Sequence, residues 1–372
     1  MRALVLAGGK ATRLRPLTER TPKAMTPVLG RPFLEHVLAW LRRHDVLDVT
    51  LLLGFLPEPI RAYFRDGHEF GVKLTYVVEE EPLGSGGAIK QIESELTEPF
   101  LVLNADIFTD LDLTAMIAAH NRAGGEVSIA LTRVEDPSQY GVVEVDTEGW
   151  IRRFVEKPNR EEAPSNLINA GVWLFEPSAL GRIASGVFTM VEQDLFPALA
   201  REHRLYGYDM DAYWMDAGTP ERYLQLQRDM LAGHVAGALA LIERPGWPGV
   251  AVQPAGGQAG GEGRAPHLTL GTVLDGPVVL GERVRTGDGC RLEGPVTIGA
   301  RTELEARVEI RDSVLWEDCR IGEAATIVSS VLAGGCVVGA GAVVEGCVLG
   351  EGARVRPGTR LIAARLNPGE TA

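Results

Sequence analysis

Lysine is scarce in this chain of 372 residues. It stands at positions 10, 23, 73, 90 and 157 only, and the other 32 of the 37 cations are arginine. An ammonium is a compact point charge on a flexible stem and suits a phosphoryl oxygen, so the few lysines carry weight. Cysteine is also rare: Cys290, Cys319, Cys336 and Cys347 lie in the last quarter with no C-x-x-C spacing. That pattern reads as buried thiols and excludes a zinc site or a secreted disulfide framework. No run approaches the roughly 18 apolar residues of a membrane span. The N-terminus offers one arginine and the four-residue run Ala3–Leu6, too short for a signal-peptide core, so a cytoplasmic location is expected. Excess positive charge is absent as well. A net charge of −13 excludes a general nucleic-acid or membrane-surface binder, and an anionic ligand must find a local basic patch.

Such a patch opens the chain. In "LAGGKATRLRPLTERTPKAM", residues 6 to 25, a strand-length apolar run breaks into Gly8-Gly9 and then into five cations, with Glu19 as the only acid. Glycine at a strand end lets backbone N–H groups approach phosphate oxygens. Neither the P-loop pattern nor G-x-G-x-x-G is present, so the glycine pair alone says little. Arg13 and Lys23 make it informative, because two cations flanking a phosphate-sized turn fit a triphosphate.

Apolar 45% of the chain can build cores, and its rhythm divides in two. Up to about residue 235 short apolar runs alternate with helical spacing. Ala3–Leu6, Val49–Leu53, Leu74–Val78 and Phe100–Leu103 read as strands, as do Val127–Thr132, Val142–Val145, Ile151–Val155 and Ile168–Phe175. Phe33–His44, Pro57–Phe64, Ala88–Leu96 and Leu113–Ala123 read as helices. This order predicts a Rossmann-like, doubly wound α/β domain over 1–235, with ligands beyond the carboxyl ends of its strands. Residues 236–266, containing "PAGGQAGGEGRAP", read as a flexible linker. From 267 to 372 a six-residue period appears. Leu280, Thr286, Leu292, Ile298, Leu304, Ile310 and Trp316 are followed, after a slip of one residue, by Ile321 and Ile327; later runs give Leu332, Val338, Val344, then Leu349, Val355, Leu361. A period of six fits a parallel β-helix with three flat faces.

Two aspartates stand where a metal site is built. Asp106 follows the strand Phe100–Leu103, and Asp216 follows Tyr213-Trp214. Two carboxylates meeting phosphate oxygens describe Mg²⁺. Asp110 and Asp112 read as caps of the helix 113–123 and are set aside.

The opening stretch resembles the signature of the sugar-nucleotide pyrophosphorylases, the sugar-1-phosphate nucleotidyltransferases. "EEEPLGSGGAIK" (79–90) resembles their base-binding loop and "LNADIFTDLDL" (103–113) their first metal motif. "VEKP" (155–158), "NAGVWLF" (169–175) and "WMDAGTPERY" (214–223) resemble their sugar-phosphate, sugar and second metal motifs. The repeats match the family's long form with a left-handed β-helix and hexapeptide repeats, following a mixed sheet. The resemblance implies catalytic Arg13, Lys23 and Lys157, and a nucleotide site of Ala7, Gly8, Gly9, Thr12, Glu80, Gly84 and Gly86. It implies a sugar site of Gly141, Glu156, Asn169 and Glu192, although a plain helix-surface acid competes for Glu192. It implies Mg²⁺ on Asp106 and Asp216, and as partners a nucleoside triphosphate and a sugar 1-phosphate.

A sugar phosphate is already ionised near neutral pH and needs alignment more than a protein nucleophile. Glu80 or Glu81 could accept from guanine N1–H and N2–H₂, which favours guanine as the base, and "EEEPLGSGGA" resembles the GDP-mannose members, which implies GDP-mannose as product; glucose with thymidylyl, uridylyl or adenylyl transfer is the alternative. A silent regulatory paralogue would be expected to lose Asp106, Asp216, Lys23 or Lys157, and all four are present. An acyltransferase β-helix would need a histidine base, and no histidine follows His267. The β-helix is expected instead to serve assembly of a homo-oligomer, dimer or higher. Two glycines of the family motifs are alanine here, Ala11 and Ala105; Ala11 would be strained if its position needs positive φ.

Overall fold

The structure, a computed structural model, describes residues 1–236, 242–243, 250–252 and 265–372. The expected linker 236–266 lies largely outside the described residues. Two compact units are distinguished: Met1–Gly9 with Val37–Met215, and Lys10–His36 with Asp216–Ala372. No described helix is long and apolar enough to cross a membrane.

The first unit is a mixed sheet. Its main path runs Ile151–Glu156, Gly141–Val145, Leu167–Phe175, Phe100–Asn104, Arg2–Ala7, Asp48–Leu53, Lys73–Val78. The last four are mutually parallel; Phe100–Asn104, Arg2–Ala7 and Asp48–Leu53 are near-continuous apolar runs, as expected of strands covered on both faces, while Lys73–Val78 is the partly exposed edge. Leu167–Phe175 runs antiparallel to Phe100–Asn104 and to Val127–Arg133, and the latter pairs in parallel with Leu205–Asp209. The core gathers Leu4, Val102, Trp173, Phe175 and Phe196, all buried.

Helices α1 (Phe33–Arg43), α2 (Pro57–Phe64), α3 (Gly84–Lys90) and α4 (Leu113–Ala123) follow the expected order, and α5 (Phe196–Arg201) and α6 (Pro220–Leu231) are additional to it. Two details differ from expectation. The helix read at 88–96 begins at Gly84 and ends at Lys90, giving way to a 3₁₀ turn at Glu93–Glu95. Asp112 caps α4, accepting from Ala115 N (3.0 Å), but Asp110 does not; its carboxylate accepts from Tyr213 N (2.7 Å).

The second unit carries the β-helix. One face stacks Val273–Asp275, Arg291–Glu293, Glu309–Arg311, Thr326–Val328, Val343–Glu345 and Arg360–Ile362. The other two stack Val278–Leu280 through Arg365–Leu366 and Arg285–Thr286 through Arg354–Val355. The early coil is 18 residues, since Leu280 pairs with Ile298, but Ile298 pairs with Leu315 and Leu315 with Leu332, coils of 17. The lost residue falls at a corner held in the left-handed region by Asp312 (φ 47), Ser329 (φ 46), Gly346 (φ 61) and Ala363 (φ 48). After the first of these, Ser313 Oγ accepts from Ser330 N of the next coil (3.1 Å), and Ser330 Oγ from Cys347 N (3.0 Å). Trp316 therefore does not occupy the wall position its spacing predicted. Leu315 does, and Trp316, one residue later, turns outward.

Candidate functional site

In the first unit, strand Arg2–Ala7 lies mid-sheet, so Ala7, Gly8 and Gly9 emerge at its carboxyl end. Phe55 N donates to Gly8 O (3.2 Å), and a Cβ on Gly54 would stand 2.8 Å from that oxygen. A Cβ on Gly8 would stand 2.9 Å from Glu79 Oε2, whereas one on Gly9 would meet nothing within 4 Å. A side chain at Gly8 would thus displace the Glu79 carboxylate, and Gly9 leaves its backbone open to a ligand.

Glu79 was missed by sequence reasoning. It is the first residue after strand Lys73–Val78, and its Oε1 accepts from Leu83 N (3.3 Å). Burial pushes its carboxyl up, against the Leu83 N–H. Glu80 and Glu81 are exposed. Position alone was the available signal: among three consecutive glutamates, the one nearest the strand end is the one held by the fold. Gly84 (φ 73) and Gly86 pack on the segment before Glu192; a Cβ on Gly84 would fall 2.5 Å from Thr189 O, and Gly86 N already donates to that oxygen (2.8 Å).

The expected sugar residues draw together. Glu192 is no surface acid: it sits in a π-turn, Val191–Leu195, its Oε2 accepting from Ser85 Oγ (2.7 Å). Burial pushes its carboxyl up, Ser85 opposes, and Glu156 adds repulsion. Glu156 pairs with Lys157 Nζ (3.2 Å) and lies where a Cβ on Gly141 would come within 2.9 Å of its Oε2. Lys157 holds a positive φ of 46, with its N–H on Tyr140 O (3.0 Å). Backbone strain of that kind clusters at ligand-binding positions. Asn169 Oδ1 is fixed by Gly171 N (2.9 Å) and Trp173 Nε1 (2.8 Å), so its orientation is set from within. Asp106 is half-buried, two residues beyond strand Phe100–Asn104. Buried Ala105 donates its N–H to Leu6 O (3.0 Å) and does not share the positive φ of Ala11.

In the second unit three cations converge on Asp216, which is 4% exposed. Arg13 Nη2 stands 3.3 Å from Oδ2, Arg222 Nη1 3.2 Å from Oδ2, and Lys23 Nζ 3.7 Å from Oδ1. Arg222 was not anticipated; it lies in the first turn of α6, where Thr219 caps the helix by accepting from Arg222 N (3.3 Å). Gly218 leaves the room required, since a Cβ there would be 2.7 Å from Asp216 Oδ1 and 2.8 Å from Arg13 Nη2. Thr12 is exposed in the short turn Thr12–Leu14, which starts from Ala11 at φ 45, ψ 47. The strain expected at Ala11 is therefore present, with Thr18 Oγ1 on its carbonyl (2.8 Å).

Oδ1 of Asp216 is buried with no donor at hydrogen-bond distance; Lys23 Nζ, 3.7 Å away, faces it as an ion pair. A carboxylate oxygen in that state fits a cation, because buried acceptors are otherwise satisfied. No group of three or more His, Cys, Asp or Glu side chains able to hold a metal occurs among the described residues, so a site here would rest on few carboxylates and on ligand oxygens. Magnesium bound through substrate phosphates has that character.

The profile of nucleotidyl transferases matches residues 2–233, which span the glycine turn, the Asp216 cluster and everything between. The chain belongs to the nucleotidyl transferase family. A second profile, the GMPPB C-terminal domain, matches residues 274–371 of the β-helix. Among relatives of this transferase, a mannose-1-phosphate guanylyltransferase of Mycobacterium tuberculosis is 38% identical over 300 residues, 78% of this chain and 82% of that one. A UTP–glucose-1-phosphate uridylyltransferase of Synechocystis is 35% identical over 361 residues, 93% and 90% of the two chains. Among solved structures, HddC from Yersinia pseudotuberculosis, complexed with GMP-PN, matches with a TM-score of 0.54 and 26% identity, over 62% of this chain and 99% of that one.

Proposed function

We propose that this transferase moves a guanylyl group from GTP to mannose 1-phosphate, forming GDP-mannose and releasing pyrophosphate. The observation that carries the transfer chemistry is the buried Asp216 carboxylate ringed by Arg13, Lys23 and Arg222. Such a cluster is arranged to meet a polyphosphate: the cations neutralise leaving-group charge, and incoming phosphate oxygens take over the pairing the carboxylate now provides. An oxygen of the sugar phosphate attacks the α-phosphorus, the bond to the bridging oxygen breaks, and pyrophosphate leaves with that electron pair. Asp216 would hold Mg²⁺, and Asp106 keeps the same role from its motif; the ion, when bound, supplies charge neutralisation on phosphate oxygens. Lys157 is the candidate for the sugar phosphate, and Glu156, Asn169 and Glu192 for sugar hydroxyls.

Glu79 supports guanine. Its carboxylate beside the Gly8 turn is a double acceptor, matched to guanine N1–H and N2–H₂. The relatives point both ways on base and sugar, so uridylyl transfer to glucose 1-phosphate is the competing reading. Glu79→Gln separates them. With guanine on Glu79, kcat/KM for GTP falls about 10- to 100-fold, the worth of hydrogen bonds to a charged group, while UTP is spared. Equal losses for GTP and UTP would remove Glu79 from base recognition. A homo-oligomer remains part of this proposal, and sedimentation of the full chain at micromolar concentration as a sharp monomer would refute it.

A further inference from the structure

The outward turn of Trp316 meets a chain of hydrogen bonds that ends beside Lys23. Trp316 Nε1 donates to Tyr223 Oη (3.1 Å) on α6, and the Tyr223 hydroxyl donates to Pro27 O. Gln227, one turn further along α6, donates from Nε2 to the same carbonyl (2.9 Å) and accepts from Leu29 N (2.9 Å). Tyr223 is completely buried and Gln227 nearly so. Pro27–Val28 and Arg31–Pro32 form a tight hairpin whose turn, Leu29 (φ 46) and Gly30 (φ 76), is strained at the leucine. Directly upstream, Thr26 ties back to Lys23 O through its N–H (3.0 Å) and its hydroxyl (2.7 Å).

This hairpin buries Val28 and Leu29 as well as holding these hydrogen bonds. A small cavity lined by Pro27, Gly30, Thr297, Ala300 and Trp316 lies beside it. Helix α6 is itself anchored to the β-helix. Arg228 makes a two-pronged pair with Asp312 at the first shortened corner (2.7 and 2.6 Å), and Glu221 pairs with Arg365 (2.9 Å). Arg222, from the same helix, reaches Asp216. One helix thus rests on the β-helix and touches the cation cluster.

We propose that Trp316 and Tyr223 are positioning residues for the reaction: through Pro27 the β-helix fixes the backbone that carries Lys23. The proposal rests on the reading that Lys23 acts on the triphosphate. Trp316 acts through Tyr223, because a donor on the phenol oxygen fixes its rotor and strengthens its own O–H as a donor. The two side chains form one series, so their effects do not multiply.

The test uses the full chain with Tyr223→Phe, Trp316→Phe and the double variant, reading kcat, KM for each substrate, melting temperature and hydrogen exchange over residues 23–29. Tyr223→Phe is expected to lower kcat about 3- to 10-fold, with KM for the sugar 1-phosphate unchanged and exchange at 23–29 faster. Trp316→Phe is expected to do the same more weakly, and to add nothing in the Tyr223→Phe background. Unchanged exchange at 23–29 in Tyr223→Phe, or losses that multiply in the double variant, would overturn the relay. Lys23→Met is run alongside: wild-type turnover there would refute the role of Lys23, while exchange in Tyr223→Phe still decides whether the relay holds the loop.

Discussion

Lowering the pH should destabilise this protein through His36. The imidazole lies on α1, buried, its Nε2 on Val28 O (3.0 Å) in the hairpin that follows Lys23. Burial drives its pKa from 6.5 down to about 4; the Val28 contact opposes the shift and the Arg31 charge adds to it. The native state keeps the ring neutral, while the unfolded chain takes up a proton below about 6.5, so the unfolded state binds more protons and stability falls as pH drops from 6.5 to 4. A gap of about two and a half pH units, at about 1.4 kcal/mol each, is worth about 3 kcal/mol across the window, and about 2 kcal/mol between pH 7 and pH 5. His36→Gln keeps a donor for Val28 O and removes the titration. Urea unfolding of both proteins at pH 7 and pH 5 should show the wild type losing about 2 kcal/mol more than the variant. Imidazole NMR should show one ring, absent in His36→Gln, still neutral at pH 5. Equal pH slopes in the two proteins, or a His36 resonance titrating near 6.5, would refute the reasoning.

Position 11 requires left-handed backbone, so turnover and melting temperature should rank Ala11→Gly at or above wild type and Ala11→Val below both. The left-handed conformation costs an ordinary residue about 1–2 kcal/mol, more for a β-branched one, and glycine's added unfolded-state entropy offsets about half of the relief; the reverse order would contradict that geometry. Gly218→Ala places a methyl group against Asp216 and Arg13, so kcat should fall at least about tenfold with little change in melting temperature; wild-type kcat would show that the cluster is not used. Asp312→Asn should cost about 1 kcal/mol at neutral pH, because the pair with Arg228 is partly solvent-screened. Burial alone would raise the Asp312 pKa, but hydrogen bonds from Arg228 and Ser329 lower it. Its contribution is therefore present above the ordinary carboxylate pKa and lost as pH falls through the depressed one, and a pH-independent difference from the wild type would refute the pairing.

Much of this was legible in the residues. The strands beside Arg2–Ala7 announce themselves as short apolar runs because they are covered on both faces. Gly8, Lys23 and Asp216 lie at element ends where an α/β fold exposes chemistry. The six-residue period is legible too, since each β-helix face needs one inward apolar side chain. Trp316 misled because apolar character does not say which way a side chain points; the corner at Asp312 loses a residue, and only the register shows Leu315 in the wall. Glu79 and Arg222 escaped for a related reason. Glu79 is one of three consecutive glutamates, and the choice among them is made by the tertiary contact with Gly8; Arg222 lies only six residues from Asp216, but nothing in the stretch says that the helix turns its side chain back onto that carboxylate. Asp110 looked like a cap because aspartate before a helix usually is one; its carboxylate instead holds Tyr213 N.

The most direct measurement is pyrophosphate release across a grid of ATP, CTP, GTP, dTTP and UTP against mannose, glucose, galactose and N-acetylglucosamine 1-phosphates, with Mg²⁺ and with EDTA, and with Asp106→Asn alongside. The account predicts its strongest signal for GTP with mannose 1-phosphate, abolished by EDTA and lost in the variant. A strongest signal for UTP with glucose 1-phosphate would contradict the assigned substrates. A blank grid from folded protein would contradict nucleotidyl transfer itself.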